Sequence, residues 1–155
     1  MNQKITRSIK QAMANQFSHN ISMLTKRGLR NKAENGRCPY SPPVGYLTDS
    51  GKNKYGKEAI NDPDKFELIK KAFKLIYSNK NTPSEAFEIA IFKWGLTNKN
   101  GIKLSFRSWR EMLSNPFYYG EFEYPKGSGK WYNGNHNPIL TQAEFLKIQT
   151  LLNKK

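Results

Sequence analysis

The N-terminal part of the chain carries a narrow apolar stripe at helical spacing. Its members recur every four residues and then after three, at Ile5, Ile9, Met13, Phe17, Ile21 and Leu24. Because this spacing keeps apolar side chains on one side, it predicts one helix of about 22 residues, roughly 33 Å long. A single helix cannot bury its own stripe, so we expect a partner for it. A membrane surface is disfavoured because the stripe is one residue wide and lacks tryptophan.

Positive charge clusters where the stripe ends. Residues 26–36 read KRGLRNKAENG, and Gly28 and Gly36 are expected to loosen the backbone. We interpret this tract as a basic, partly flexible linker that closes an N-terminal unit, residues 1–36. Such a tract can follow a phosphate backbone or enter a minor groove, or it can be no more than a solvated connection.

Proline and glycine interrupt the next segment, residues 37–63, which contains four prolines and three glycines. Helix is therefore excluded there. Residues 44–47 and 57–60 fit two short strands, and residues 49–56 fit the turn-rich tip between them.

Three helices are predicted next, over residues 63–78, 83–94 and 105–114. Thr82 is a suitable N-cap with Pro83 at the first helical position, and Gly95 ends that helix. A polar turn over residues 97–103 follows. This succession is typical of a helix-turn-helix fold with an elongated turn.

The third of these helices has two different faces. Ser105 is its predicted cap, and Asn115-Pro116 stops it. The apolar positions share one stripe, at Phe106, Trp109, Met112 and Leu113. Arg107, Ser108 and Arg110 fall off that stripe, so an arginine-bearing face is expected to point outward. This face suits either solvent or a DNA major groove.

Period-two alternation from Tyr118 to Tyr124 predicts a strand. Residues 126–130 form the expected hairpin tip, and Trp131 begins the return strand. Thr141-x-x-Glu144 is a capping box that opens a last helix. The whole pattern predicts an α+β, mostly helical fold, namely a helix-turn-helix-like bundle with small β-hairpins and an N-terminal helical arm.

Composition favours a polyanion as partner. The chain has 155 residues and a net charge of +14, from 26 Lys and Arg against 12 Asp and Glu. No apolar run is long enough to span a membrane and no signal peptide is evident, so we expect a soluble, cytoplasmic protein. The single cysteine, Cys38, excludes an intrachain disulfide and a cysteine-based zinc cluster.

Catalytic chemistry is not indicated. No serine lies beside a plausible base, and nothing in the sequence brings His19 and His136 together. We expect no catalysis, metal or cofactor. His136 is expected to make a structural bond in its turn, and three tryptophans are expected in the core, at positions Trp94, Trp109 and Trp131.

Three patches together resemble the Recombinase domain of the large serine recombinases. Residues 36–46 contain PPVGY, residues 105–120 contain LSNPFYYG, and residues 136–152 read HNPILTQAEFLKIQTLL. The first is similar to the family's glycine and proline-glycine-tyrosine entry. The other two look like its helix running into an asparagine-proline and its HxPI turn with the closing helix. Residues 3–35 look like the end of the long helix that leaves the family's catalytic domain.

The resemblance implies that residues 37–155 are a domain that binds double-stranded DNA at an attachment half-site. It also implies that the catalytic serine domain and the zinc ribbon are absent from this chain. The apolar stripe would then contact that catalytic domain or a second subunit. The protein would be encoded by a bacterium or a phage and would associate with the nucleoid when bound to DNA.

Nine residues are the expected DNA contacts: Lys26, Arg27, Arg30, Lys32, Arg37, Lys103, Arg107, Ser108 and Arg110. Two alternatives remain from the sequence. One is a helix-turn-helix regulator unrelated to recombination, and the other is a basic RNA-binding protein, which would prefer single strands or A-form helices.

Overall fold

Helices and two small hairpins make up the chain, and the α+β, mostly helical fold class is confirmed. A computed structural model describes residues 2–49 and 58–153. The helices are α1 (Asn2–Glu34), α2 (Phe66–Tyr77), α3 (Pro83–Glu88), α4 (Phe106–Leu113) and α5 (Gln142–Asn153). Two antiparallel pairs form the hairpins, β1 (Tyr46–Thr48) with β2 (Ala59–Asn61) and β3 (Glu121–Glu123) with β4 (Trp131–Asn133). No helix of the described residues is long and apolar enough to cross a membrane.

Helix α1 is longer than the apolar stripe predicts, because it continues through Gly28 to Glu34 over 33 residues, which agrees with the long helix that the resemblance implies for residues 3–35. The expectation of a flexible tract at residues 26–36 was therefore wrong. One glycine inside a helix costs only about 1 kcal/mol relative to alanine, which its helix-favouring neighbours offset. The chain turns away after Glu34 at Gly36, whose φ is 71°. The Arg37 N–H donates to the Lys32 carbonyl at 3.0 Å. This is a common way for an α-helix to end, with a glycine in the left-handed conformation after its last turn.

The hairpin of β1 and β2 lies within two residues of its predicted position, and Leu47 pairs with Ile60. Except for Asp49, the predicted tip lies outside the described residues. Helix α2 begins at Phe66, later than the predicted start at Pro63. A turn precedes it, in which the Asp62 carbonyl accepts from the Phe66 N–H at 3.0 Å.

Helix α3 starts as predicted and ends early. The Thr82 and Glu85 side chains each accept the other's backbone N–H, at 3.3 and 2.9 Å, which completes a capping box. Regular α-helix stops at Glu88, and a π turn, Ile89–Lys93, carries the chain on to Trp94. Residues 97–103 then form a tight turn closed by a bridge between Thr97 and Lys103.

The chain after α4 also differs from the prediction. A 3-10 turn, Pro116–Tyr119, occupies positions that were predicted to begin a strand. The Asn115 side chain accepts the Phe117 N–H at 3.0 Å and Pro116 fixes its own φ, so a helical turn is favoured over extended backbone. Gly120 leaves this turn with a φ of 105°, and β3 starts one residue later.

Aromatic rings join the helices to the hairpins. Tyr46 of β1 is fully buried and meets Phe66, Phe117 and His136 edge-on, at centroid distances of 5.6, 5.2 and 5.3 Å. Its hydroxyl donates to the Asn137 carbonyl at 2.7 Å. The first hairpin is thereby fixed against α2, the 3-10 turn and the segment before α5.

The three tryptophans have different environments. Trp109 is fully buried, and its indole N–H donates to the Pro83 carbonyl at 3.0 Å, which joins α4 to α3. Trp94 is partly buried against the core. Trp131 is 52% exposed, so its predicted place in the core was wrong. In a two-stranded ribbon alternate residues face opposite sides, and here Tyr132 faces inward, stacking on Phe122.

Candidate nucleic-acid interface

Helix α4 has one buried and one exposed face. Trp109, Met112 and Leu113 are buried, whereas Arg107 and Arg110 are exposed. This division places both arginines on a rigid helix, since the opposite face is fixed in the core. The predicted cap is confirmed, because the Ser105 hydroxyl oxygen accepts the Ser108 N–H at 3.2 Å.

Arg107 and Ser108 already have partners within α4. The Arg107 Nε donates to Glu111 Oε1 at 3.1 Å, and the two side chains are 89% and 65% exposed. An ion pair this exposed contributes less than about 1 kcal/mol, so Arg107 can leave it for an anion. The Ser108 hydroxyl accepts from the Ser105 hydroxyl at 3.0 Å and therefore belongs to the cap.

Lys103 lies at the end of the turn before α4. Its Nζ is 5.1 Å from the centroid of the Phe92 ring, which is exposed on the π turn. The turn and α4 therefore carry four of the predicted contact residues, namely Lys103, Arg107, Ser108 and Arg110. The sequence analysis did not identify Phe92. The feature that could have identified it is an aromatic residue outside the apolar stripe of the helix predicted over residues 83–94.

Four other predicted contacts lie on α1 rather than on a linker. Lys26, Arg27 and Arg30 are exposed, and Lys32 is partly buried. Residues 26, 27 and 30 are neighbours on one side of a helix, since residues three and four apart share a face. Their spacing is therefore set by the helix and not by a mobile chain.

Arg37 has a different environment from the other eight. It pairs with Glu58 at 2.5 Å, and only 13% of its side chain is exposed. This pair ties the residue after α1 to the segment that enters β2. The geometry favours a structural role for Arg37 over contact with a ligand.

His136 makes the structural bond predicted for it. Its Nε2 lies 2.7 Å from the Phe117 carbonyl oxygen, and its ring stacks on that of Phe117 at 3.7 Å. Burial lowers the pKa of His136, with the Phe117 carbonyl opposing the shift. A neutral ring therefore donates from Nε2. His19 is exposed on α1, so the two histidines are not brought together in a site.

Two lysines that the sequence analysis did not single out also have specific contacts. Lys126 Nζ lies 4.5 Å from the centroid of the Tyr40 ring, at the tip of the second hairpin. Lys99 donates through Nζ to the Ser41 hydroxyl at 2.9 Å and to the Pro42 carbonyl, and burial lowers its pKa. Among the described residues, no group of His, Cys, Asp and Glu could hold a metal ion.

A family model for the Recombinase domain matches residues 63–155. The chain belongs to the serine recombinase family. The match covers α2 to α5 and therefore includes the buried face of α4 and both of its arginines. A comparison with curated proteins gives no significant match.

Solved structures share the fold of this Recombinase domain. A crystal structure of an LSR–DNA complex has a TM-score of 0.59 and 15% identity over 83% of this chain. A structure described as "Sequence Requirements of the Listeria innocua prophage attP site" has a TM-score of 0.61 and 14% identity over 83% of this chain. The chain spans 37% and 51% of those two chains, and at these identities the likeness concerns the fold alone.

Proposed function

We propose that this chain binds double-stranded DNA at an attachment half-site, as the DNA-binding part of a site-specific serine recombinase. The observation that carries the proposal is the rigid, exposed arginine face of α4 beside the turn at residues 97–103. A helix whose inner face packs against a preceding helix and whose outer face is exposed is suited to insertion into a major groove. Family membership and the net charge of +14 support the same partner.

The basic residues divide into two groups by their setting. Arg107 and Arg110 are our candidates for contact with base edges, because their helix is held in the core. Ser108 lies between them, and Lys103 precedes them. Lys26, Arg27, Arg30 and Lys32 are candidates for phosphate contact, because α1 lies outside the core. Arg37 is the weakest candidate of the nine, since it is paired with Glu58.

The N-terminal apolar stripe is the proposed contact with the rest of the recombinase. Its six side chains are 49–67% exposed, and α1 buries only Ala33 within this chain. Such a stripe on a long helix is suited to pairing with another helix. The partner we propose is the family's catalytic domain or a second subunit. We divide the chain accordingly, with residues 1–36 as the arm and residues 37–155 as the DNA-binding domain.

Strand exchange itself is proposed to occur outside the described residues, whose part is to bind and position DNA. His136 is buried against Phe117 and His19 is exposed on α1, so the structure does not bring the two histidines together. This chain alone is expected to bind duplex DNA in the cytoplasm without cleaving it.

The test is selection of duplexes from a randomised pool, followed by anisotropy titration at several salt concentrations. The double variant Arg107→Ala/Arg110→Ala should lose roughly 1–3 kcal/mol on the selected duplex and much less on a scrambled one. Lys26→Ala or Arg30→Ala should weaken binding to both duplexes and flatten the salt slope by about one unit. Lys147→Ala, an exposed charge on α5, is the matched control.

Several outcomes would contradict the proposal. Equal losses of the α4 variant on both duplexes would reduce Arg107 and Arg110 to phosphate contacts. Competition by double-stranded or single-stranded RNA at lower concentration than by DNA would favour the RNA-binding alternative. A gene whose reading frame encodes no serine-bearing catalytic domain upstream of this chain would favour a regulator.

A further inference from the structure

Two large apolar side chains are exposed in the two turns that precede α4. Phe92 is 67% exposed and Ile102 is 61% exposed. Exposed apolar residues close to a candidate binding helix are candidates for an interaction surface.

Both side chains are held in place by local structure. Phe92 lies on the π turn, where Ala90 and Ile91 face the core, so its ring is directed away from the core. Ile102 is ordered by Asn98, whose side chain accepts the Ile102 N–H at 3.0 Å and whose N–H donates to the Ile102 carbonyl at 2.8 Å. Lys103, the next residue, lies over the Phe92 ring and so joins the two turns.

The charges around these side chains are mostly positive. Residues 88–111 contain five basic residues, which are Lys93, Lys99, Lys103, Arg107 and Arg110, and two acidic ones, Glu88 and Glu111, of which Glu111 pairs with Arg107. An apolar surface among cations is complementary to a polyanion that also presents apolar groups. Duplex DNA has this combination in its major groove, where the thymine 5-methyl group lies among phosphate-flanked base edges.

We propose that Phe92 and Ile102 contact thymine methyl groups in the major groove, next to the bases that α4 reads. The two residues would add a preference for thymine at positions that Arg107 and Arg110 do not reach. This inference rests on the proposed DNA binding by α4. It assigns sequence preference to the turns before α4 as well as to the helix itself.

The test replaces each thymine of the selected duplex by deoxyuridine, which lacks only the 5-methyl group. At one or two positions the unmodified protein should bind about fourfold more weakly, the effect of one buried methylene-sized group. Phe92→Ala or Ile102→Ala should bind the thymine duplex more weakly by a similar factor and should no longer distinguish it from the uracil duplex. Leu146→Ala, a 58% exposed apolar residue on α5, should keep the distinction.

The outcomes separate this inference from the function on which it rests. If the unmodified protein binds no duplex, the proposed function and the inference fail together. If it binds but no uracil position weakens binding, only the methyl contact is overturned. The contact is also overturned if both variants keep the full uracil penalty. Thermal unfolding by circular dichroism checks that both variants are folded, which we expect because the side chains removed are exposed.

Discussion

Asn135 holds the end of α1 at Gly36. Its backbone N–H donates to the Gly36 carbonyl at 2.8 Å, and its side-chain amide donates to the Asn35 carbonyl at 2.8 Å. The segment after β4 therefore fixes the point at which α1 enters the domain. The basic end of α1 is in consequence held in a set position relative to the domain.

Gly36→Ala should weaken this junction. The residue has a positive φ of 71°, and an added Cβ would lie 2.5 Å from Asn135 Oδ1 and 2.9 Å from the Asn133 carbonyl oxygen. We expect a loss of roughly 1–3 kcal/mol in the free energy of unfolding, measured by urea denaturation. Gly28→Ala is the matched control.

The control should behave in the opposite way. Gly28 lies inside α1, and no atom would be within 4 Å of an added Cβ. Alanine there should raise the helical circular-dichroism signal and stabilise α1 by roughly 0.5–1 kcal/mol. Equal effects of the two substitutions would show that Asn133 and Asn135 can move to accommodate a side chain at position 36.

Trp109→Ala should destabilise the domain by roughly 3–5 kcal/mol, because truncating a buried aromatic residue leaves a cavity between α3 and α4. Trp109→Phe should cost less, since it keeps a ring but loses the bond to the Pro83 carbonyl. Trp131→Ala should change the free energy of unfolding by less than about 0.5 kcal/mol, in keeping with its exposure. A comparable loss at positions 109 and 131 would contradict our assignment of the inner face.

Folding stability should fall as the pH drops below about 6.5, the ordinary pKa of histidine. Burial lowers the pKa of His136 in the folded protein, so the unfolded chain binds this proton first. The contribution of His136 to the free energy of unfolding is therefore complete above the pKa of this residue in the unfolded chain. It is lost as the pH falls toward the lower pKa in the folded protein. Denaturation between pH about 5 and 7 measures this loss, in a window above most carboxyl titrations.

His136→Gln should remove that part of the pH dependence, whatever its effect on stability at neutral pH. His19→Gln should keep it, because His19 is exposed on α1. A fall in stability that persists unchanged in the His136 variant would assign the proton uptake to another group.

The stripe on α1 should drive self-association of the isolated chain if a second subunit is its partner. Ile9→Glu with Met13→Glu should abolish any dimer detected by sedimentation at high concentration, because two charges would enter the apolar contact. Lys10→Glu with Gln11→Glu alters the same helix off the stripe and should leave the dimer in place. An unmodified chain that stays monomeric at every concentration would favour the catalytic domain as the partner.

Local signals in the sequence determined much of this fold. Apolar periodicity located α2, α4 and α5. The Thr82 cap with Pro83 located the start of α3, and the capping box at Thr141 and Glu144 located the start of α5, because each signal acts between residues about one helical turn apart. The inward side of α4 was predicted for the same reason, so Arg107 and Arg110 could be placed on its outer face from spacing alone.

Tertiary structure decided what depends on distant residues. The end of α1 at Gly36 is stabilised by Asn135, and the pairing of Arg37 with Glu58 depends on where β2 lies; no local pattern contains these partners. Trp131 is exposed because the ribbon alternates faces and Tyr132 takes the inward one. Helix periodicity reports which side of an element is apolar, whereas the contacts that cover or expose a given side chain exist only once the elements have packed.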